Sequence, residues 1–387
     1  MDDAVRPSLD VPRIDKGLDD IYVKETSICL VDGQRGRLLY RGYDIRDLAD
    51  RSTFEETAFL LLQGRLPSRP ELERVKAEIG NARALTPEIR RVLRGMPKDG
   101  SPIDVLRTAV SIMSANDPEG SARTREANVR RAVRLIGGIA GVVASYERVR
   151  SGRRVIRPDP AKGHAEDFLH MVTGKRPNPR HRRIMDAAMV LYADHSMNAS
   201  TFAATVAAST LADLHSTIVA AIATLKGPLH GGAIEAAFET IQSIGRAEDA
   251  EARVLSILRD GGKVFGFGHR VYKTYDPRAL ILREYANGLA SASTEPHLFQ
   301  VAEAVQETVV RELRAKHIYP NVDFYSGLVY HYLGLPSDLG TAIFAMARAA
   351  GWAAHVLEYW EDNRIVRPLD HYVGPTNATY VPLDERT

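Results

Sequence analysis

Apolar residues recur along most of the chain at the spacing of one helix face, i, i+3, i+4 and i+7, whereas stretches of alternating apolar and polar residues are almost absent. This pattern predicts a mainly helical protein. In the first half of the chain, helices are expected at residues 54–62, 70–79, 86–93, 102–114 and 124–149. Ser, Thr or Pro at several starts and Gly at some ends are typical helix boundaries. We therefore predict an all-α fold.

One segment departs from the helical pattern. In residues 27–40, two arms rich in leucine and β-branched residues flank Asp32, Gly33 and Gly36, which favour turns. We predict a small N-terminal β-hairpin here. Cys29 lies in its first arm and is expected to be a small buried residue.

Residues 198–225 are predicted to be helical, with a periodic face composed mainly of Ala, Ser and Thr. Small residues at helical spacing let another helix approach closely. The pattern is compatible both with a core helix of one subunit and with a helix at a subunit interface. Asp213 and His215 interrupt the apolar stretch, so no membrane span is expected.

The composition changes after Lys226, where glycines become frequent. We predict a smaller domain at residues 230–333, inserted into a larger domain formed by residues 1–229 and 334–387. Two unequal domains imply a cleft between them, a common place for a ligand.

Charge and cysteine content exclude several classes of protein. The 387 residues carry 51 Lys and Arg against 49 Asp and Glu, a formal net charge of +2. Arg-rich stretches at 90–94, 123–134 and 148–157 could bind nucleic acid or a membrane surface, but the lack of interleaved aromatic residues favours solvated helix faces. The single cysteine excludes an internal disulfide, and no targeting segment is recognisable, so we expect a cytoplasmic protein without a nucleic-acid or membrane partner.

Three short motifs place a titratable residue beside glycines or in a turn. They are Gly227-Pro-Leu-His230-Gly-Gly, then Gly266-Phe-Gly-His269-Arg-Val-Tyr with Asp276-Pro-Arg278, and Asn321-Val-Asp323-Phe-Tyr-Ser-Gly327. Each has an ordinary structural explanation when taken alone. The histidines could be turn residues, and Asp323 could cap a helix beginning at Phe324. Together with several arginines, the motifs supply a base, two hydrogen-bond donors and carboxylate-binding groups, and no metal site is expected.

With these motifs the chain resembles the citrate synthase family over nearly its whole length. The resemblance extends in order through Gly17-Leu18, Tyr40-Arg-Gly-Tyr-Asp-Ile45, Phe54-Glu-Glu, Asp194-His195-Ser-Met-Asn-Ala-Ser200, the three motifs above, Ala345-Met-Ala-Arg348 and Val366-Arg367-Pro368. It implies a mainly helical homodimer whose small domain closes over oxaloacetate, and it favours the interface location for residues 198–225. The short lead before Gly17 fits the dimeric form of the family without an additional N-terminal regulatory domain.

The resemblance assigns the three catalytic roles. Asp323 would be the base that removes a proton from the methyl group of acetyl-CoA, and His230 would donate a hydrogen bond to the thioester oxygen. The start of a helix at Gly231-Gly232 would favour the neutral form of His230. His269 would donate to the ketone oxygen of oxaloacetate.

The resemblance also implies binding residues. The carboxylates of oxaloacetate would be bound by His195, Arg278 and Arg348, and by Arg367 of the neighbouring subunit, because guanidinium groups bind carboxylates in bidentate fashion. Coenzyme A would contact Val264, Phe265, Gly266, Phe267, Gly268 and Lys273. For Lys273, an ordinary solvated surface charge remains the alternative. No permanently bound cofactor is expected, since acetyl-CoA is a co-substrate.

The implied function is that of an acyltransferase, a citrate synthase that condenses acetyl-CoA with oxaloacetate and water to citrate and CoA. The alternative is a 2-methylcitrate synthase that uses propionyl-CoA, or dual use of both, because one methylene changes binding by only about 1–3 kcal/mol. The stretch from Gly268 to Lys273 is more similar to citrate synthases and favours acetyl-CoA.

Overall fold

The computed structural model describes residues 14–18 and 21–386. Most of the N-terminal stretch, for which we expected no targeting segment, lies outside these residues. The described chain forms three strands, β1 to β3, at Cys29–Asp32, Arg37–Tyr40 and Tyr43–Asp44. Its α-helices, α1 to α16 in chain order, are Ile45–Arg51, Phe54–Gln63, Arg69–Ala82, Pro87–Gly95, Pro102–Ala115, Arg125–Arg150, His164–Thr173, Pro179–Tyr192, Ala199–Ser209, Leu214–Leu225, Ala233–Ile244, Ala250–Arg259, Pro277–Ala290, His297–Glu312, Val322–Tyr332 and Gly340–Glu361.

The predicted hairpin is confirmed and gains a third strand. Strands β1 and β2 pair antiparallel with Cys29 opposite Tyr40, and β2 pairs antiparallel with β3. The side chain of Asp32 accepts hydrogen bonds from the backbone N–H groups of Gln34 and Arg35, which shapes the turn. Cys29 is buried, as predicted.

The five helices predicted in the first half of the chain are confirmed to within three residues at each end. Their starts are capped as the sequence indicates. Thr53, Thr86 and Thr124 each accept a hydrogen bond from a backbone N–H in the first turn, and Ser68 forms a capping box with Glu71.

The prediction of one helix at residues 198–225 is wrong, because this segment forms the two helices α9 and α10. Leu211 adopts a left-handed backbone conformation with φ +61°, which ends the first helix. The carboxylate of Asp213 then caps α10 by accepting from the N–H of Ser216 at 3.1 Å. The polar residue that interrupts the apolar pattern is therefore a helix start.

Helix α16 is the central element of the fold, since every residue from Gly340 to Leu357 is buried. It packs against α2, α6, α8, α9 and α10. Helices α11 to α15 pack mainly on one another, with α15 in contact with α11, α13 and α14 and only smaller contacts to α16. Within the described residues, no helix combines the length and the apolarity needed to cross a membrane.

Candidate active site

Residues from the helices packed around α16 and from helices α11 to α15 meet in one place. There α8 ends, α15 begins, and α16 contacts both of them. The ring of Tyr192, the last residue of α8, lies 4.6 Å from the ring of Phe344 on α16. Phe344 also contacts the ring of His230, at 5.8 Å. The rings of His195 and His269 are 5.1 Å apart. The structure thus brings together residues that lie far apart in the sequence.

Asp323 lies in the first turn of α15, but it does not cap the helix. The cap is Asn321, whose side chain accepts a hydrogen bond from the Asp323 N–H at 3.0 Å, and the helix begins at Val322 rather than Phe324. The carboxylate Oδ1 of Asp323 accepts a hydrogen bond from the hydroxyl of Tyr192 at 2.9 Å. Burial raises the pKa of Asp323 to about 6, against the lowering effects of Tyr192 and Arg278.

His230 lies in the loop between α10 and α11 and is neutral at pH 7. Burial, and then the charge of Arg348, lower its pKa to about 4. The expected helix start at Gly231-Gly232 is confirmed, since α11 begins at Ala233 with Gly232 as its cap.

The Nε2 atom of His230 lies 2.8 Å from the hydroxyl oxygen of Ser200. The same hydroxyl lies 2.7 Å from Oδ1 of Asn198 and accepts from the indole N–H of Trp352 at 3.1 Å. The hydroxyl of Ser200 has a single proton, and Oδ1 of Asn198 accepts it. The contact at Nε2 holds the ring of His230 in place.

His269 is held in a defined tautomer by the backbone. Its Nδ1 atom accepts hydrogen bonds from the N–H groups of Val271 and Tyr272, both at 3.0 Å. Burial, and then Arg278, lower its pKa to about 4. A neutral ring whose Nδ1 is an acceptor carries its proton on Nε2, so His269 is a hydrogen-bond donor at that atom.

His195 follows α8 in a tight turn and is buried. Its Nε2 atom lies 3.4 Å from the hydroxyl of Tyr272. Burial, and then the charge of Arg278, place the pKa of His195 well below its ordinary value. His195 is therefore a neutral group that faces the same cluster as His269.

A buried contact between Asp194 and His355 supports the turn that carries His195. Asp194 and His355 of α16 are both fully buried, and their Oδ1 and Nε2 atoms are 3.2 Å apart. Asp194 also accepts from the N–H of Ser196, a residue with φ +52°. Burial works against ionisation of Asp194, but the interaction with His355, followed by that with Arg348, outweighs it and lowers the pKa to about 2.

Arg278 and Arg348 are buried cations in different electrostatic settings. Arg278 forms a bidentate pair with Asp276, at 3.0 Å and 2.7 Å. Arg348 lies over the ring of Phe344 at 4.6 Å and donates from Nε to the carbonyl oxygen of Tyr192 at 2.6 Å. Within the part of the chain that the structure describes, Arg348 has no ion pair with a carboxylate. A buried guanidinium without a carboxylate partner favours the binding of an anion.

The loop containing residues 264–268 lies against the start of α15. Gly268 donates from its N–H to the carbonyl oxygen of Tyr319, and Gly266 accepts from the N–H of Asn321, both at 2.9 Å. Gly266 has φ +81°, and a Cβ there would lie 2.8 Å from the backbone of Phe324, so only glycine fits. Phe265 is partly exposed, Phe267 packs on Phe324, and Val264 is buried.

Lys273 is exposed, and its ammonium donates to the carbonyl oxygen of Arg270 at 3.2 Å. Its backbone N–H donates to Gly33 in the hairpin turn at 3.0 Å. Arg367 is exposed on the extended segment after α16. Among the residues described, no group of three or more His, Cys, Asp or Glu side chains is arranged to hold a metal ion.

The geometry combines a carboxyl group that titrates near neutral pH with neutral histidines and buried cations. Comparison with known proteins agrees with the sequence motifs. The profile described as "Citrate synthase, C-terminal domain" matches residues 17–369. The chain belongs to the citrate synthase family. The predictions of family, mainly helical fold and enzyme class are thereby confirmed.

Both citrate synthases and a 2-methylcitrate synthase are similar to the chain. The citrate synthase of Deinococcus radiodurans is 42% identical over 96% of this chain and 99% of the relative. The 2-methylcitrate synthase of Shewanella oneidensis is 37% identical over 96% of this chain and 97% of the relative. The citrate synthase of Thermoplasma acidophilum, solved as a ternary complex, has a TM-score of 0.93 at 36% identity, covering 97% of this chain and 100% of that chain.

 The ligands in that ternary complex are carboxymethyl coenzyme A and oxaloacetate.

Sequence reasoning missed several side chains that support the site in this family member. Tyr192 ends an amphipathic helix and resembles an ordinary core residue, although its hydroxyl reaches Asp323. Ser200 lay within a recognised motif, but only the structure shows its contact with His230. Asp276 was noticed as a neighbour of Arg278, and its bidentate pairing follows from the backbone at the start of α13.

Proposed function

We propose that the chain is a citrate synthase that condenses acetyl-CoA with oxaloacetate and, with water, releases citrate and CoA. The observation that carries the proposal is the placement of Asp323, with a pKa of about 6, in one cluster with neutral His230 and with Arg348, a buried cation without a carboxylate partner. This is the combination that a reaction between a weak carbon acid and a dianionic ketone requires.

Asp323 is the base in this proposal. Its ionised carboxylate takes a proton from the methyl group of acetyl-CoA, and the electron pair of the C–H bond moves into the enolate. A base with a pKa near the working pH combines a substantial ionised fraction with useful basicity. The contact with Tyr192 keeps one oxygen of Asp323 in place while the other is available.

The two histidines act as neutral donors. His230 stabilises the thioester oxygen as negative charge develops on it, while the contact of Nε2 with the hydroxyl of Ser200 holds its ring in place. The Nε2–H of His269 polarises the ketone of oxaloacetate, because its Nδ1 is already an acceptor for two backbone N–H groups. The enolate carbon then bonds to the ketone carbon, and water cleaves the thioester to release CoA.

Oxaloacetate is bound by His195, Arg278 and Arg348 in this proposal. Arg348 offers a positive charge without a direct ion pair to a described carboxylate, and Arg278 is oriented by Asp276. Orientation by a buried carboxylate lowers the entropic cost of aligning a guanidinium with a substrate. These groups lie beside the catalytic histidines, as the 5.1 Å separation of the His195 and His269 rings indicates.

We propose that coenzyme A binds at Val264, Phe265, Gly266, Phe267, Gly268 and Lys273. The positive φ angles of Gly266 and Gly268 and the exposure of Phe265 and Lys273 support a loop whose backbone a ligand can approach. The proposal includes a small domain at residues 230–333 that closes on a large domain at residues 1–229 and 334–387. The mutual packing of α11 to α15 supports this division.

The active unit is a homodimer in this proposal, with Arg367 completing the neighbouring site. The segment after α16 is exposed, and its apolar side chains Leu369, Tyr372, Val373, Tyr380 and Leu383 are 67–85% exposed. Such apolar exposure favours contact with another chain. Helices α9 and α10 are the proposed interface helices. A cytoplasmic location, without nucleic-acid or membrane partners, is supported by the single free cysteine.

The acyl preference is tested by thiol release from acetyl-CoA and propionyl-CoA in the presence of oxaloacetate. We expect the higher kcat/KM with acetyl-CoA and citrate as the product. A higher kcat/KM with propionyl-CoA would instead support the 2-methylcitrate synthase alternative. Absence of thiol release with both compounds would contradict the proposed function.

A further inference from the structure

A short chain of hydroxyl groups extends from Asp323 into the protein. The hydroxyl oxygen of Tyr192 lies 2.9 Å from Oδ1 of Asp323 and 2.7 Å from the hydroxyl oxygen of Ser326. The hydroxyl of Ser326 in turn lies 2.5 Å from the carbonyl oxygen of Val322. Tyr192 and Ser326 are buried, so water does not substitute easily for these partners.

The hydrogen bonds among these groups can be directed in two ways, one for each protonation state of Asp323. When Asp323 is ionised, Tyr192 donates to its carboxylate and Ser326 donates to Tyr192. When Asp323 is protonated, its O–H can donate to Tyr192, Tyr192 to Ser326, and Ser326 to the carbonyl oxygen of Val322. In the second arrangement the Asp323–Tyr192 and Tyr192–Ser326 hydrogen bonds reverse their direction and Ser326 donates to Val322, without the movement of a heavy atom.

We propose that Tyr192 and Ser326 are positioning residues that hold Asp323 in one orientation in both of its protonation states, by reversing the direction of their hydrogen bonds when the carboxyl group gains or loses a proton. The proposal rests on the proposed role of Asp323 as the base. In that role Asp323 must be ionised before proton abstraction and protonated immediately afterwards. A hydrogen-bond chain that satisfies both states avoids a rotation of the side chain during the reaction.

Other charged and titratable groups also act on Asp323. Asp276 and Arg278 act from the start of α13, Arg348 acts from α16, and Tyr330 lies further along α15. The substitutions proposed below leave all of these groups in place. A change in the titration of Asp323 can therefore be assigned to the hydroxyl chain.

Substitutions of Tyr192 and Ser326 are expected to shift the pKa of Asp323 in opposite directions. Tyr192→Phe removes the donor to the ionised carboxylate, which favours the protonated form of Asp323. The acid limb of the pH profile of kcat/KM should therefore move to higher pH by about one pH unit. Ser326→Ala leaves this donor intact but removes the acceptor that Tyr192 needs in the protonated arrangement. The acid limb of Ser326→Ala is therefore expected to shift downward, by less than about one pH unit.

The experiment measures the pH dependence of kcat/KM for acetyl-CoA in the wild-type enzyme and both variants. Tyr146→Phe is a matched control. The hydroxyl of Tyr146 donates to the carbonyl oxygens of Pro97 and Gly100, which are far from Asp323 in the sequence. We expect its pH profile to match the wild type. Thermal unfolding checks the fold of each variant, and an infrared titration of the Asp323 carboxyl band, identified with Asp323→Asn, measures the same shifts without turnover.

Opposite shifts in Tyr192→Phe and Ser326→Ala would support the proposal. An unshifted profile in folded Tyr192→Phe, or upward shifts of equal size in both variants, would overturn it. Asp323→Asn separates this outcome from a failure of the proposed function. If that variant is inactive while Tyr192→Phe titrates like the wild type, only the hydroxyl chain is refuted, whereas normal turnover in Asp323→Asn would refute the base itself.

Discussion

The contact between α16 and the turn before α9 leaves no room for a side chain at Gly351. The Gly351 N–H donates to the carbonyl oxygen of Ala193 at 3.0 Å. A Cβ at Gly351 would overlap this carbonyl oxygen and the carboxylate of Asp194, and would lie 2.9 Å from the Cβ of Asp194. Asp194 is fully buried and paired with His355, so it cannot rotate away. Gly351→Ala is therefore expected to strain both the contact between Asp194 and His355 and the turn that carries His195.

The size of the effect follows from two opposing contributions. Overpacking of a core costs about 1–3 kcal/mol, and the upper part of this range applies where the contacted atoms belong to backbone and to a paired carboxylate. Alanine is favoured over glycine within a helix by about 1 kcal/mol. We expect a net loss of about 2 kcal/mol in the free energy of unfolding. The KM for oxaloacetate should rise as well, because His195 follows Asp194 directly.

Gly95→Ala provides the matched control. Gly95 is the last residue of α4, and a Cβ there would meet nothing within 4 Å. This variant should be unchanged or slightly more stable than the wild type. Denaturant unfolding monitored by circular dichroism, together with oxaloacetate saturation curves, tests both variants. If Gly351→Ala were as stable as Gly95→Ala and had the wild-type KM, the packing argument would be refuted.

Three further predictions concern the chemistry and the dimer. Because Asp323 must be ionised to act as a base, kcat should rise with pH through about 6, and a flat profile from pH 5 to 8 would contradict this. His230→Ala should lower kcat at least about 100-fold in the thiol-release assay. The exposed control His297→Ala should keep the wild-type kcat. Equal kcat values in the two variants would contradict the proposed role of His230. Arg367→Ala should raise the KM for oxaloacetate more than Arg364→Ala does, and mixed dimers with Asp323→Asn should regain activity. Failure of such mixed dimers to complement would count against a shared site.

The sequence was most informative where local rules determine the structure. Helical periodicity and capping residues such as Thr53 and Thr124 predicted the first helices, because both signals depend on neighbouring residues. The break between α9 and α10 was missed because the apolar pattern continues across it. Asp213 was noticed as an interruption, but its function as a helix cap depends on the backbone conformation at Leu211.

Most of the candidate site was predicted from motifs, whereas its supporting contacts were not. Asp323, His230 and His269 stand in short motifs with glycine neighbours, which single them out in the sequence. Asp194 and His355 are 161 positions apart, and Tyr192 and Asp323 are 131 positions apart. Pairings of this kind follow from how whole helices pack, which one sequence does not reveal.

The central claim is that Asp323 removes the methyl proton of acetyl-CoA. Its most direct test is the kcat of purified Asp323→Asn in thiol release with saturating acetyl-CoA and oxaloacetate, beside the wild type. Asparagine has nearly the same shape and retains an acceptor for Tyr192, so the fold and the binding of oxaloacetate should persist. We expect kcat to fall by about 100- to 10,000-fold, the contribution of a general base. A folded Asp323→Asn enzyme that turns over at the wild-type rate would contradict the claim.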